Sequence, residues 1–188
     1  SKIDGPVVWL VGGLHGDEPG GGAVIQTLFK ELPPMELLKG SLRAFPMVNE
    51  SGAEKGIREL PETGEDLNRL FPGRLGGTLG EAIAYNVWQT ITATRPDLVL
   101  DLHNDWISSV PYVLIDNEPS APVALTSGLI VVRENVKLLE TLARTLSVSL
   151  TKNGILALTL ELGSAYVVDP SRRGVAEVDE KNVRIGVN

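Results

Sequence analysis

Short apolar runs rich in β-branched residues recur along this chain, separated by segments whose apolar residues fall at helical spacing. Residues 7–11, 42–48, 98–102, 112–115, 129–132 and 155–162 predict strands. Several are apolar at consecutive positions rather than alternating, as in strands covered on both faces. Residues 22–32, 79–94 and 135–148 predict helices, and in the last, Leu139, Leu142, Ala143 and Leu146 form an i, i+3, i+4, i+7 stripe that should face a sheet. The alternation predicts an α/β domain with a mostly parallel, mixed sheet flanked by helices on both faces. Residues 49–64 and 71–80 carry the Gly, Pro and acidic composition of loops, where function concentrates.

Composition narrows the function classes. The 188 residues suit one domain, and the net charge of −7, with no basic run, argues against a nucleic-acid partner. The chain has no cysteine, which excludes disulfides, thiolate ligands and a Cys nucleophile and fits a reducing compartment. No stretch approaches the roughly 18 apolar residues of a membrane span, and the first residues lack a signal-peptide core. A cytoplasmic protein without membrane association is the expectation, with a homo-oligomer left open.

The chemistry gathers at strand ends. The chain has only two histidines, and each follows an apolar strand, where α/β sheets place their ligand crevices. His15 lies in Gly12-Gly13-Leu14-His15-Gly16-Asp17-Glu18-Pro19-Gly20, whose glycines permit a tight turn, with a carboxylate three residues after the imidazole. His103 ends Leu98-Val99-Leu100-Asp101-Leu102-His103. Two imidazoles and one carboxylate suit one catalytic zinc ion, which keeps a fourth position open, whereas a structural zinc would need another protein ligand. Taken singly, each residue is as well explained as a turn histidine or as an acid at a helix N-terminus; three together are not. A phosphate-cradling loop fails on detail: no Gly-Lys-Ser/Thr follows, and Asp17 and Glu18 would repel the anion.

Two further groups stand out. In Glu65-Asp66-Leu67-Asn68-Arg69-Leu70-Phe71-Pro72-Gly73, Arg69 suits a substrate carboxylate, Asn68 adds a donor, and Asp66 suits the back of a metal-bound histidine; an exposed polar loop is the bland alternative. Glu161 closes the apolar run Leu156-Ala157-Leu158-Thr159-Leu160-Glu161, where a carboxylate needs a partner: a metal-site role, or a salt bridge to a nearby Arg.

With these motifs in order, 13–20, 66–73, Asp101-Leu102-His103-Asn104 and Thr159-Leu160-Glu161-Leu162-Gly163, the chain resembles the succinylglutamate desuccinylase and aspartoacylase family of the zinc carboxypeptidase-like fold. The resemblance implies one zinc ion on His15, Glu18 and His103, Glu161 as general base, Asn68 and Arg69 on the substrate's free carboxylate, Asp66 behind His15, and Arg58 polarising the scissile carbonyl. It implies hydrolysis of an amide in a small N-acyl amino acid or similar carboxylate-bearing substrate. Residues 1–168 would form the zinc hydrolase catalytic domain, and 169–188 a tail or the stub of the family's β-rich C-terminal extension. A metallocarboxypeptidase acting on peptides is the nearest rival, and a non-catalytic module binding zinc or a carboxylate the other. Tyr112 and Tyr166 qualify as substrate contacts by residue type alone.

Overall fold

The structure, a computed structural model, describes residues 3–31, 37–105, 109–134 and 143–164. Six strands form one sheet: β1 (Val7–Gly12), β2 (Ser41–Phe45), β3 (Leu98–Asp105), β4 (Tyr112–Ile115), β5 (Ile130–Arg133) and β6 (Ala157–Ser164), in the order β2-β1-β3-β6-β4-β5. The pairs β1–β2, β1–β3, β3–β6 and β4–β5 are parallel and β4–β6 is antiparallel, so the sheet is mixed and mostly parallel. The six predicted strands are all present, to within a few residues at their ends. The second stops at Phe45 because Pro46 has no N–H to offer a ladder.

Helices cover both faces. On one, α1 (Gly20–Glu31) and α4 (Ala121–Thr126) supply Val24, Ile25, Leu28 and Ala124, packed against Leu10, Leu100, Leu102, Leu158 and Leu160. On the other, α3 (Leu79–Thr92) and α5 (Leu146–Lys152) set Ala84, Val87, Trp88, Ile91, Leu146 and Leu150 against Trp9, Val11, Val99 and Ala157. Each large side chain sealed this way contributes about 1.5–3 kcal/mol. Alternation then assigns the polar strand residues to one face: Val99 packs under α3 and α5, so Asp101, His103 and Asp105 follow it there, as Thr159 and Glu161 follow Ala157.

Three expectations change. Residues 49–64 are not all loop: Glu50–Lys55 form α2, capped by Asn49, whose side chain accepts from the Gly52 amide, and closed by Gly56 in the left-handed conformation. Residues 121–126, read as no element, form α4. The helix read over 135–148 does not run through: Thr145 is extended and caps α5 from outside, so of the described residues of the proposed stripe Ala143 sits in a turn and Leu146 is helical. Residues 135–142 and the tail 169–188 lie outside the described residues, as does Tyr166.

Candidate metal centre and cleft

The turn after β1 builds the site's first half. Gly13 takes φ +64°, and a Cβ on Gly16 would overlap the backbone of Gly52 and Ala53, so α2 lies directly against the turn. The Gly16 amide donates to Arg58 O (3.2 Å), and Asn49 Nδ2 donates to the same oxygen (3.0 Å). The cap of α2 thereby also anchors Arg58 beside His15. From β3, the Asn104 amide donates to Glu18 Oε2 (3.0 Å) and its side-chain oxygen accepts from Gly20 N (2.8 Å), tying the first turn to the second histidine's strand.

Four electron-rich atoms meet where these elements join. His15 Nδ1 is 2.7 Å from Glu18 Oε1, His103 Nδ1 is 2.8 Å from Glu18 Oε2, and the two Nδ1 atoms are 3.2 Å apart. All three side chains are buried, and a ligand atom from each lies within 4.8 Å of the others. The outward nitrogens face carboxylates: His15 Nε2 is 3.2 Å from Asp66 Oδ1, and His103 Nε2 is 3.1 Å from Asp101 Oδ1, close enough to pair though not aligned as a hydrogen bond. A proton on each Nε2 leaves both Nδ1 lone pairs aimed at an anion. That crowding is relieved only by added protons or by a cation, and the donor set fits a metal ion whose ligating histidines are oriented from behind by carboxylates.

The charges follow. Burial opposes ionisation of Glu18, but the hydrogen bonds and charges of His103 and His15 outweigh it and hold the carboxyl well below the usual range. Asp66 behaves alike: burial is opposed by His15, Arg58 and Arg69, and its pKa also falls well below normal. Burial works against protonating His103, yet Asp101 and Glu18 lift its pKa well above the ordinary value. Glu161 is the exception among the acids. Burial, aided by Glu18, Asp105 and Asp101 and only partly countered by His103, raises it from 4.5 to about 7, and its Oε2 is buried without a hydrogen-bond partner among the described residues.

That shift has a signed consequence for the metal-free chain. A carboxyl raised in the folded state binds its proton more tightly there than unfolded, so the folded state is favoured at low pH and loses roughly 3 kcal/mol as pH rises through 7. Glu161→Gln, neutral throughout, should therefore stabilise the chelator-treated protein by an amount that grows from pH 5 to pH 8. Thermal melts of both proteins across that range check it; a difference that is constant or shrinks with pH contradicts it.

The other sequence-derived candidates line one cleft of about 250 Å³ with the triad: Arg58, Asn68, Arg69 and Glu161. Arg58 places Nη1 3.2 Å from Glu18 Oε1 and Nη2 3.1 Å from Asp66 Oδ2. Arg69 donates to the Asn68 carbonyl (2.9 Å) and keeps a half-exposed guanidinium, 4.0 Å from Asp66 Oδ2. Asn68 reaches the cleft from a packed position. It is buried, its Oδ1 accepts from the Leu146 amide (2.8 Å) and its Nδ2 lies 3.2 Å from His103 Nε2. Tyr112 donates to Asp105 Oδ2 (2.9 Å), and burial together with Glu161 and Asp105 raises its pKa.

The decisive comparison is with known families, and the catalytic-domain model of succinylglutamate desuccinylase/aspartoacylase matches residues 4–184. The chain belongs to that family. Over 101 residues it is 38% identical to the N-alpha-acetyl-L-2,4-diaminobutyric acid deacetylase of Halomonas elongata, covering 54% of this chain and 29% of the relative. Its fold matches that of a succinylglutamate desuccinylase/aspartoacylase from Rhodobacter sphaeroides (TM-score 0.80, 24% identity, 98% of this chain and 55% of that one). It also matches the product-bound ectoine utilization protein EutE (DoeB) of Ruegeria pomeroyi (TM-score 0.81, 23% identity, 98% and 57%). The chain thus spans little more than half the length of these solved relatives and under a third of the curated one.

Within this family member, some residues in or behind the cleft carried no assigned role in the sequence. Asp101, Asp105 and Thr159 were each visible as the i±2 neighbour of His103 or Glu161 in a strand, hence on the same face. Asp116, Glu134 and Ser147 had no such signal, because the antiparallel turn of β4 and the start of α5 bring them in.

Proposed function

We propose that this chain is the catalytic core of a zinc-dependent deacylase that hydrolyses the amide of an N-acyl amino acid, with His15, Glu18 and His103 holding one zinc ion. The observation that carries the reading is the convergence of both Nδ1 atoms on the Glu18 carboxylate, beside a cleft lined also by Glu161, whose Oε2 has no hydrogen-bond partner among the described residues. The curated relative is named for removing an acetyl group from a small amino acid, which supports the same reaction class here.

Bound zinc supplies a Lewis acid that draws the pKa of water toward neutrality and polarises a carbonyl. In this reading Glu161 takes the proton of the attacking water at a carboxylate oxygen and later delivers it to the departing amine. Its unpartnered oxygen and elevated pKa suit a group that must both accept and return a proton. Arg58, placed beside Glu18, donates to the oxygen on which negative charge develops. Arg69, half-exposed at the cleft, binds the substrate carboxylate. Asn68 borders the His103 ring and is tied to the α5 N-terminus through its own side-chain oxygen, while Asp66 and Asp101 face the imidazoles from behind.

The test is a hydrolysis screen of the zinc-loaded chain against N-acetyl and N-succinyl amino acids and, in parallel, short peptides with a free C-terminus. The expected result is turnover of at least one N-acyl amino acid, lost on chelation and restored by zinc. Exclusive turnover of peptides would move the chain to the carboxypeptidase reaction; stoichiometric zinc without any hydrolysis would make it a binding module.

A further inference from the structure

Arg58 enters the site as the last residue of a ring of chain, 49–58, that starts and closes at Asn49. The Asn49 backbone amide donates to Gly13 O (2.7 Å), which fixes the ring to the turn that carries His15. Its side-chain Oδ1 accepts from the Gly52 amide (2.9 Å) and starts α2. At the far end Gly56, in the left-handed conformation, sends its amide back to Ala53 O (3.2 Å) and the Ile57 amide to Gly52 O (3.0 Å), which stops the helix and reverses the chain. Arg58 O then arrives 3.0 Å from Asn49 Nδ2, which donates to it.

The two halves of one amide thus serve different neighbours, and only one orientation suits both: a backbone N–H needs the oxygen, a carbonyl needs the NH2. Asn49 is 1% exposed, and a Cβ on Gly52 would lie 2.4 Å from Nδ2, so the amide is packed against the helix backbone. Asn49 itself does not line the cleft. What it reaches is Arg58, whose Nη1 is 3.2 Å from Glu18 Oε1 and whose Nε and Nη2 are 3.2 and 3.1 Å from Asp66 Oδ2. Arg58 is therefore held at both ends, by the backbone clasp and by two carboxylates at the guanidinium. A donor fixed in place before the reaction stabilises developing charge without the ordering cost of a mobile one. The other donor to Arg58 O is the Gly16 amide (3.2 Å), so losing Asn49 loosens the residue rather than releasing it.

We propose that Asn49 is a positioning residue for the reaction: by closing this ring, its Nδ2 sets Arg58 at the oxygen on which negative charge develops. The proposal rests on the deacylase reading and on the role given there to Arg58. A helix cap alone needs only an oxygen at this position, so the amide nitrogen is the half of the side chain under test.

Asn49→Ser separates the two halves, because a serine oxygen still caps α2 while nothing remains to reach Arg58 O. For the zinc-loaded chain on the N-acyl amino acid it hydrolyses best, kcat should fall about 10–100-fold with KM within about twofold. The melting temperature should stay above that of Asn49→Ala, which lacks the cap as well. In an Arg58→Ala background the same serine change should cost less than about twofold. Wild-type kcat in Asn49→Ser, or an equal loss repeated without Arg58, overturns the proposal and makes Asn49 a cap only. Asn49→Asp, which also keeps a capping oxygen, serves if the serine variant does not fold. Hydrogen exchange at Arg58 Nε–H gives a readout independent of turnover, measured by NMR with the signal identified by its loss in Arg58→Lys. Exchange at least about tenfold faster in Asn49→Ser supports the clasp, and equal exchange overturns it. If no N-acyl amino acid is hydrolysed, the deacylase reading falls, and the exchange measurement alone decides whether Asn49 positions Arg58.

Discussion

Glu161→Gln is expected to lower the hydrolytic rate by about two to four orders of magnitude while leaving zinc content unchanged. The amide keeps the shape of the side chain and removes only its capacity to take and return a proton. Glu161 stands on β6 directly across from His103 on β3, yet among the described residues the group able to hold an ion is His15, Glu18 and His103, without Glu161. Metal retention and rate loss should therefore separate at this position. Single-turnover kinetics with metal analysis of the same samples checks both halves. A variant that keeps full activity would remove Glu161 from the chemistry, and one that loses zinc would make it a ligand.

His103→Ala is expected to abolish activity and to weaken zinc binding by at least about a hundredfold, more than any change behind the histidines. Its Nδ1 is one of the three converging ligand positions, and its ring is backed by the Asp101 carboxylate of its own strand. Asp101→Asn keeps the ligand but removes the charge that favours a proton on Nε2, so it should cost about 10–100-fold in affinity. Competition with a chelator of known affinity ranks the two. An order in which Asp101→Asn is worse than His103→Ala would contradict the assignment of His103 as a ligand.

Much of this site was legible in the sequence because strands have a two-residue period and glycines have few substitutes. His15 and His103 each follow an apolar run, and such runs in an α/β sheet end at its crevice; the Gly-rich turn after β1 marks the close approach of α2 to Gly16. The order of the four motifs pointed to the family that the catalytic-domain match then established. What failed had physical reasons. α2 is short and carries Gly52 in its middle, so composition reads as loop, and only its Asn49 cap and Gly56 terminator betray it. The stripe leading to Leu146 suggested one helix, but Thr145 intervenes in an extended conformation to cap α5, a local choice that periodicity does not register. Asn68 lines the cleft beside Arg69, as the 66–73 motif suggests, but its burial between His103 and Leu146 depends on the packing of α5, which no local pattern encodes. The presence of Asp116 and Glu134 in the cleft was hidden for the same reason, since they reach it through the reversed direction of β4 and β5.

The account turns on whether one divalent ion is held between the first turn of the chain and the end of β3. Zinc-edge X-ray absorption on the zinc-loaded chain, compared with His15→Ala and His103→Ala, reads this directly. One zinc per chain, with two imidazole nitrogens and carboxylate oxygen at about 2.0–2.2 Å and an imidazole contribution reduced in each variant, is the expected result. A spectrum without histidine scattering, or one that neither substitution changes, would contradict it.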